Sequence, residues 1–556
     1  MAQRIFGRIE GIKSTQRRDL ERLYARRLRD DGALTQDLAN RLTRISRELN
    51  RIVAILVDRR GVVQWVMVGD TRRIYLPEIG RERAGAGRFR GIRLIRTHLH
   101  GPELGRDDQA DLTRLRLDMV VSLVVGEDGY LDSVHWAHLL PAGSTAPWET
   151  RSAPSITLMD LDFARFIADL EEEFGRLSTT ACDLDRERVL LVALDLPERA
   201  IEPLLTEMHE LCRTADVEVV GEITQSTRRP DPKTIVRRGK LEELSLAGVQ
   251  HDADTAIFAC DLAPNQLRNI SHATELRVID RTQLILDIFA RRAVSHDGKL
   301  QVELAQLKYM LPRLVGRNPA LSRLAGGIGG RGPGESKLEV DRRRARDRIH
   351  KLEHRIKRLS KQRAQKRSRR KSRGVPIVSI VGYTNAGKST LLNALTQSSV
   401  RAEDKLFATL DPASRRLRFP ADREIVLTDT VGFIRDLPDD LIAAFKATLE
   451  ELDEADLLLH VVDIVEADFS DRKEAVDRIL VELGLGDKPR VLLLNKTDRI
   501  DPADADRIAC AHHAIPISAL DRPTLRPLIG TIDAAIFGDR TSDPSEIPAE
   551  AAQWSP

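Results

Sequence analysis

Apolar positions along this chain follow distinct rhythms. Over 377–381, 425–429, 456–463, 490–494 and 514–518 they form short, nearly continuous runs, separated by stretches with helical spacing. Unbroken apolar runs suit strands buried on both faces. Their alternation with helices predicts a doubly wound, mostly parallel sheet over 376–538. The second rhythm is a heptad. Leu300, Leu304, Leu307, Leu311 and Leu314 step by four and three, and Ala345, Ile349, Leu352, Ile356 and Leu359 repeat the steps. Between them lies Gly326-Gly327-Ile328-Gly329-Gly330-Arg331-Gly332-Pro333-Gly334, which cannot be helix. Residues 296–373 therefore read as an antiparallel helical hairpin with a glycine-rich tip. Residues 187–295 read as a small α/β domain, with strands over 188–194, 216–220 and 255–260 and an amphipathic helix over 201–212. Strand-like runs over 51–58 and 61–69 predict a hairpin inside a further α/β domain within 1–150. The fold class expected is multidomain α/β. Residues 539–556 are acidic and contain Pro and Ser, so a disordered tail is expected there.

Composition bounds the class. At 556 residues, 42% hydrophobic, the chain should hold about three or four domains. No apolar run approaches the length of a bilayer span, and the first residues lack a signal-peptide apolar region. Cys182, Cys212, Cys260 and Cys510 are widely spaced and form no metal pattern, which suits buried thiols. A soluble, cytoplasmic, monomeric protein is expected. The net charge of +3 hides an asymmetry: residues 337–373 carry 18 Lys/Arg against 4 Asp/Glu. That segment is +14 and the remainder −11. A dense basic helix is a footprint for a polyanion, against the plainer alternative of a solvated packing arm. Aromatics are only 4%, which favours phosphate-backbone and shape recognition over base stacking. Arg317, Arg323 and Arg331 lie near the hairpin tip.

The candidate chemistry is local. Gly382-Tyr383-Thr384-Asn385-Ala386-Gly387-Lys388-Ser389 fits the phosphate-loop pattern, follows a strand and opens a helix at Thr390. Backbone N–H groups and the helix dipole would then surround phosphates, Lys388 would reach the β- and γ-phosphates, and the Ser389 hydroxyl would ligate magnesium. At the end of the next parallel run, Asp429-Thr430-Val431-Gly432 offers a carboxylate for a magnesium-bound water and an N–H for the γ-phosphate. Asn495-Lys496-Thr497-Asp498 narrows the base. Its Asp carboxylate can accept guanine N1–H and N2–H₂ together, a donor pair adenine lacks, so ATP is the discarded alternative. In Ser518-Ala519-Leu520 a backbone amide would read guanine O6. The expected activity is magnesium-dependent hydrolysis of GTP to GDP.

Order and spacing resemble the translation-factor-related GTPase superfamily. Phe433 stands where Ras-like proteins carry a water-orienting Gln, so the resemblance implies catalysis completed by backbone, a partner or a monovalent cation. Asn385 occupies the place of an Asn found in cation-dependent relatives, and two readings stand: a potassium site or a loop-stabilising amide. In Phe407-Ala408-Thr409-Leu410-Asp411-Pro412, Thr409 is the expected second protein ligand of magnesium. Lys388, Thr409, Asp429 and Gly432 are thus the candidate catalytic set.

Longer motifs narrow the family. Arg238-Gly239-Lys240-Leu241-Glu242-Glu243-Leu244, Asn265-Gln266-Leu267-Arg268-Asn269, the stretch 280–290 and the glycine-rich 326–339 resemble the HflX family of ribosome-associated GTPases. So do 407–412 and 429–434. The likeness covers about 187–535. It implies binding to the large ribosomal subunit, with the N-terminal domain and hairpin tip probing ribosomal RNA near the peptidyl transferase centre. It also implies splitting of stalled or idle ribosomes, GTP favouring the bound form. Some relatives are reported to hydrolyse ATP through the N-terminal domain, for which 187–295 shows no site. The extra C-terminal domain of some relatives is expected to be absent. A large-subunit assembly or anti-association factor is the nearest alternative.

Within 50–140, His98 and His100 with Asp108 and Asp111 downstream resemble the zinc signature of JAMM-type isopeptidases and RadC-like proteins, with Asp108 where a serine is usual. The general-base Glu of those enzymes is not identifiable. A zinc site on His98, His100 and Asp111, a degenerate domain of that fold and an unrelated domain all stand as readings. A metal-dependent hydrolase regulated by the GTPase is the corresponding functional alternative.

Overall fold

A computed structural model describes residues 4–28, 32–71, 73–74, 76, 89–99, 104–141, 144, 146–159, 161–178, 186–197, 200–314, 337–371, 375–396, 406–407, 413–419, 423–430, 432–434, 452–466 and 468–538; within the helix over 337–371, side chains are described for 342–359. The glycine-rich tip, the tail after 538, His100, Val431 and 408–411 lie outside these residues. The chain divides into two compact units, 1–205 with 216–280, and 206–215 with 281–556.

In the first unit, strands β1 (Ile5–Gly7), β2 (Val53–Asp58), β3 (Val63–Val68), β4 (Ile92–His98), β5 (Met119–Val125), β6 (Leu131–Leu139) and β7 (Trp148–Ala153) form one sheet in the order β1-β3-β2-β4-β5-β6-β7. The antiparallel pair β2–β3 is the hairpin expected from the two apolar runs. Helices α1 (Ser14–Glu21) and α2 (Gln36–Leu49) lie in this stretch; the Thr35 hydroxyl caps α2, and Asn50 ends it in the left-handed region at φ 48°. The buried face of α2, including Leu38, Leu42 and Ile45, joins the core over Val53–Val57 and Val120–Leu123. Helices α3 (Arg106–Arg114) and α4 (Phe163–Ser178) follow. Phe163, Ile167, Leu170 and Phe174 of α4 carry this core past residue 150, where the sequence pattern suggests a boundary.

A second sheet of the first unit, in the order β11-β10-β8-β9, is wholly parallel: β8 (Glu187–Asp195), β9 (Val217–Ser226), β10 (Thr255–Phe258) and β11 (Arg277–Asp280). Helices α5 (Ile201–Thr214), α6 (Arg238–Gln250) and α7 (Pro264–Thr274) alternate with these strands. The guanidinium of Arg116, just after α3, donates to the carbonyls of Gly248 and Ala253 and pairs with Asp254 at 3.0 Å, joining the two sheets' layers within this unit.

In the second unit, α8 (Arg281–Arg292) leads into α9 (His296–Met310), whose first turn is capped by the Ser295 hydroxyl accepting the Gly298 N–H at 2.9 Å. Leu300 and Leu304 of α9 bury against Ile349 and Leu352 of α10 (Lys337–Lys371), with Leu307, Leu311, Ile356 and Leu359 packed beside them. The heptad positions meet as the steps of four and three require. Arg348 grips Glu303 through two bonds of 2.7 and 2.9 Å, and Lys308 pairs with Glu353 at 2.8 Å, bracketing the seam.

The sheet that follows has the order β13-β14-β12-β15-β16-β17: β12 (Ile377–Gly382), β13 (Ala413–Arg418), β14 (Glu424–Asp429), β15 (Leu457–Asp463), β16 (Arg490–Asn495) and β17 (Ile515–Pro516). Every pairing is parallel except β13 with β14. Helices α11 (Lys388–Thr396), α12 (Phe469–Glu482), α13 (Pro502–Ala511) and α14 (Arg526–Phe537) complete it. Alternate residues serve opposite faces: Val461 and Leu493 pack with Leu391, Leu392 and Leu528, whereas Val462 and Leu494 pack with Ala505 and Ala509. Both faces are covered, which is why the runs read as continuously apolar.

Candidate nucleotide site

The carboxyl ends of β12, β14, β15 and β16 converge on one edge of this sheet, the place where open α/β sheets bind ligands. The turn from β12 to α11 carries residues 382–389. Asn385 takes φ 62° and Gly387 φ 92°. A side chain at Gly387 would stand 2.3 Å from the Asn495 amide nitrogen, so only glycine fits that crossing. The Lys388 ammonium donates to the Tyr383 carbonyl at 2.8 Å. Burial lowers the Lys388 pKa to about 8, and the charge of Asp429 opposes that shift. The Ser389 hydroxyl donates to Asp429 Oδ2 at 2.6 Å, and Asp429 is fully buried at the end of β14.

Beyond β14, Thr430 Oγ1 donates to the Ile380 carbonyl at 2.7 Å. Thr384 N–H donates to the Phe433 carbonyl at 2.8 Å, and Phe433 N–H to the Gly382 carbonyl at 3.1 Å. These bonds press Gly432 against the loop. A methyl group there would lie 2.8 Å from Thr384 Cγ2 and 2.9 Å from Lys388 Nζ. The Phe433 side chain is buried. Ala386 is buried within the turn, and Thr390 begins to expose the helix. Of the segment 407–411, only Phe407 falls among the described residues; it is buried, at φ 54°, with its ring edge-on to Phe289 at 4.6 Å.

The residues expected to read the base are cross-braced. Asn495 Nδ2 donates to the Ala386 carbonyl at 2.8 Å, while Asn495 Oδ1 accepts the Ala519 N–H at 3.0 Å. Of the 518–520 amides, one of which is expected to read O6, that of Ala519 donates to Asn495. Asp498 Oδ1 accepts the Ser518 hydroxyl at 2.5 Å. Thr497 N–H donates to the Ile517 carbonyl at 3.3 Å, and Leu520 is largely exposed beside them. Two supports escaped the sequence pattern. Asp463, ending β15, pairs with Lys496 at 2.7 Å, and Thr524 Oγ1 accepts the Ser518 N–H at 2.9 Å. Asp463 had a signal, an acid closing a continuous apolar strand; Thr524 had none.

Of the residues expected to hold zinc, His98 and Asp111 are described and His100 is not. Arg96 and His98 lie two apart on β4 and so share a face. The Arg96 guanidinium donates to His98 Nε2 at 2.6 Å and also contacts Asp108. Arg96 therefore lies between His98 and Asp108, while His100, the second expected ligand, lies outside the described residues. Asp111 pairs with Arg114 at 2.9 Å. Among the described residues no group of three His, Cys, Asp or Glu could hold a metal.

A sheet wound in this order, with a glycine-pinched loop carrying Lys388 and Ser389 and a braced Asn495–Asp498 turn, defines a P-loop GTPase. Three family models match in succession: "GTP-binding GTPase N-terminal" over 202–290, "GTP-binding GTPase Middle Region" over 292–370 and "50S ribosome-binding GTPase" over 377–496. The GTPase HflX of Caldanaerobacter subterraneus subsp. tengcongensis is 48% identical over 373 residues, which is 67% of this chain and 84% of that one. GTPase HflX of Escherichia coli (strain K12) is 50% identical over 297 residues, covering 53% and 70%. The chain belongs to the HflX GTPase family. A solved GTP-binding protein from Sulfolobus solfataricus in complex with GDP is 26% identical, with a TM-score of 0.36, and covers 63% of this chain and 99% of that one. Among the described residues no helix is long and apolar enough to cross a membrane.

Proposed function

We propose that GTP lies across the carboxyl edge of the β12–β17 sheet and that its state times the grip of α9 and α10 on the large ribosomal subunit, splitting or rescuing stalled or idle ribosomes. The observation that carries this reading is the split character of α10. Ile349 and Leu352 are buried in the hairpin seam, while Arg346, Lys351, Arg355, Lys357 and Arg358 are exposed on the remaining circumference. Such a face neutralises phosphates without reading bases.

At the nucleotide, the loop amides of 383–389 and Thr390 would hold the phosphates, with Lys388 on the β- and γ-oxygens and the Gly432 N–H on the γ-phosphate. Mg²⁺ fits the donor set. Ser389 Oγ and Asp429 Oδ2 are hard oxygens already within 2.6 Å of each other. When bound, the ion would neutralise phosphate charge; Ser389 would ligate it, Thr409 would be the second ligand and Asp429 would hold it through water. Asp498 would read guanine N1–H and N2–H₂. Buried Phe433 has no group to orient water, so unassisted hydrolysis is expected to be slow, with the ribosome or a K⁺ near Asn385 completing the site.

Cosedimentation with purified large subunits tests the reading. Binding is expected with a non-hydrolysable GTP analogue and is expected to weaken with GDP. Absence of binding in both states would overturn it. Retained binding with no separation of 70S particles would favour the assembly or anti-association role instead.

A further inference from the structure

Tyr383, the second residue of the phosphate loop, is tied at both ends. Its carbonyl accepts the Lys388 ammonium at 2.8 Å, and the next amide, Thr384 N–H, reaches the Phe433 carbonyl. Its hydroxyl leaves the loop altogether and donates to Glu207 Oε2 on α5 at 2.7 Å. The other oxygen, Oε1, takes both Nε and Nη2 of Arg281, the first residue of α8, at 3.1 and 2.7 Å. Glu207 and Arg281 are 12% and 5% exposed at the side chain, so this carboxylate is held in place by a charge-assisted fork away from bulk water. The Tyr383 ring also lies 5.1 Å below the Arg472 guanidinium, itself fixed by Asp468 at 2.8 Å and Glu466 at 3.1 Å.

The same two helices also hold Leu406 and Phe407. Leu406 N–H donates to Thr214 Oγ1 on α5 at 3.2 Å, and Phe407 packs on Phe289 of α8. Residues 206–215 and 281–292 thus frame both the phosphate loop and Leu406–Phe407, from about ninety or more positions upstream.

We propose that Glu207 is a positioning residue for GTP hydrolysis, acting through the Tyr383 hydroxyl to set where the phosphate loop presents Lys388. The proposal rests on the assignment of 382–389 to the phosphates. Loop amides supply most of the ground-state grip on the nucleotide, whereas the lysine must meet charge developing in the transition state. Loss of the link therefore falls on kcat more than on KM, because small misplacements of a charged group cost rate steeply. The link is also serial: once the hydroxyl is gone, the carboxylate has nothing left to position.

The test is a double-mutant cycle on single-turnover and steady-state GTP hydrolysis by the full chain. Tyr383→Phe and Glu207→Ala are each expected to lower kcat about tenfold with KM changed less than about threefold, and the double variant to be no slower than either single one. Glu207→Gln, whose amide can still reach the Tyr383 oxygen, is expected to recover most of the rate. Additive losses, or kcat within twofold of the parent chain for Tyr383→Phe, would overturn the proposal. Tyr383→Phe leaves the Glu207–Arg281 pair intact, so it decides the matter even where Glu207→Ala folds poorly. Lys388→Ala separates the two assignments. If it leaves hydrolysis unchanged, the phosphate-loop assignment fails; if it abolishes hydrolysis while the cycle shows no coupling, only the role of Glu207 fails.

Discussion

Asp498 shows how much one side chain is asked to do. Its carboxylate is braced by the Ser518 hydroxyl at 2.5 Å, which fixes its plane before any base arrives. Asp498→Asn exchanges one acceptor oxygen for a donor. GTP affinity is expected to fall at least about a hundredfold, since two charge-assisted bonds of about 1.5–3 kcal/mol each are affected. Xanthosine triphosphate, which presents a carbonyl in place of N2–H₂, should become the preferred ligand. Competition binding with the two nucleotides checks this, and unaltered GTP preference would remove Asp498 from the base site. Legibility in the sequence follows distance along the chain. The phosphate loop is readable because its chemistry is packed into eight consecutive residues. Glu207 acts on a loop residue 176 positions away, and no local pattern announces such a partner; Asp463 is announced only by its place at the end of an apolar strand, and Thr524, six residues from Ser518, by nothing. His98 is a different case: its spacing to His100 suggests zinc, His100 lies outside the described residues, and strand alternation sets Arg96 on the face of His98, where its guanidinium bonds Nε2.

Among the elements, the β12–β17 sheet and the α9–α10 hairpin are both readable, because each is governed by a single period: unbroken runs for strands covered on two faces, steps of four and three for the seam. The N-terminal sheet is less so. Its seven strands mix parallel and antiparallel pairings, and α4, which closes its core, follows an irregular stretch that no single period assigns. Central strand β15 carries an unexpected burden in His460, 1% exposed, with Nδ1 3.6 Å from Asp477. Burial lowers its pKa to about 4 from an ordinary 6.5, Asp477 opposing. As pH falls the unfolded chain takes up this proton first. The stability allowed by neutral His460 is thus complete above about pH 6.5 and is lost progressively toward pH 4. His460→Leu is expected to flatten the fall of melting temperature across that window relative to the parent chain. An unchanged slope would mean His460 is not the group that titrates.

At the scale of the whole molecule, the modest net charge of +3 conceals a basic helix on an acidic remainder. Exchanging Lys351, Arg355 and Arg358 for Glu leaves the buried seam of Ile349 and Leu352 untouched. Large-subunit binding is expected to weaken by at least about tenfold, and the slope of log affinity against log salt to become shallower by about one unit for each phosphate no longer neutralised. Equal salt dependence in parent and variant would assign the grip to another surface. Intrinsic GTP hydrolysis should be unaltered, separating the grip from the switch.

The order in which the chain is written has its own consequence. Residues 206–215 belong to the second compact unit, yet they are translated between strands β8 and β9 of the first. During synthesis this segment emerges some 170 residues before the phosphate loop it will brace. The second unit therefore cannot finish folding as an independent, late-emerging module, because part of it is made among the strands of the first. A fragment beginning at β12 would still hold Lys388, Asp429 and Asp498, but would report the rate of a loop deprived of its anchor.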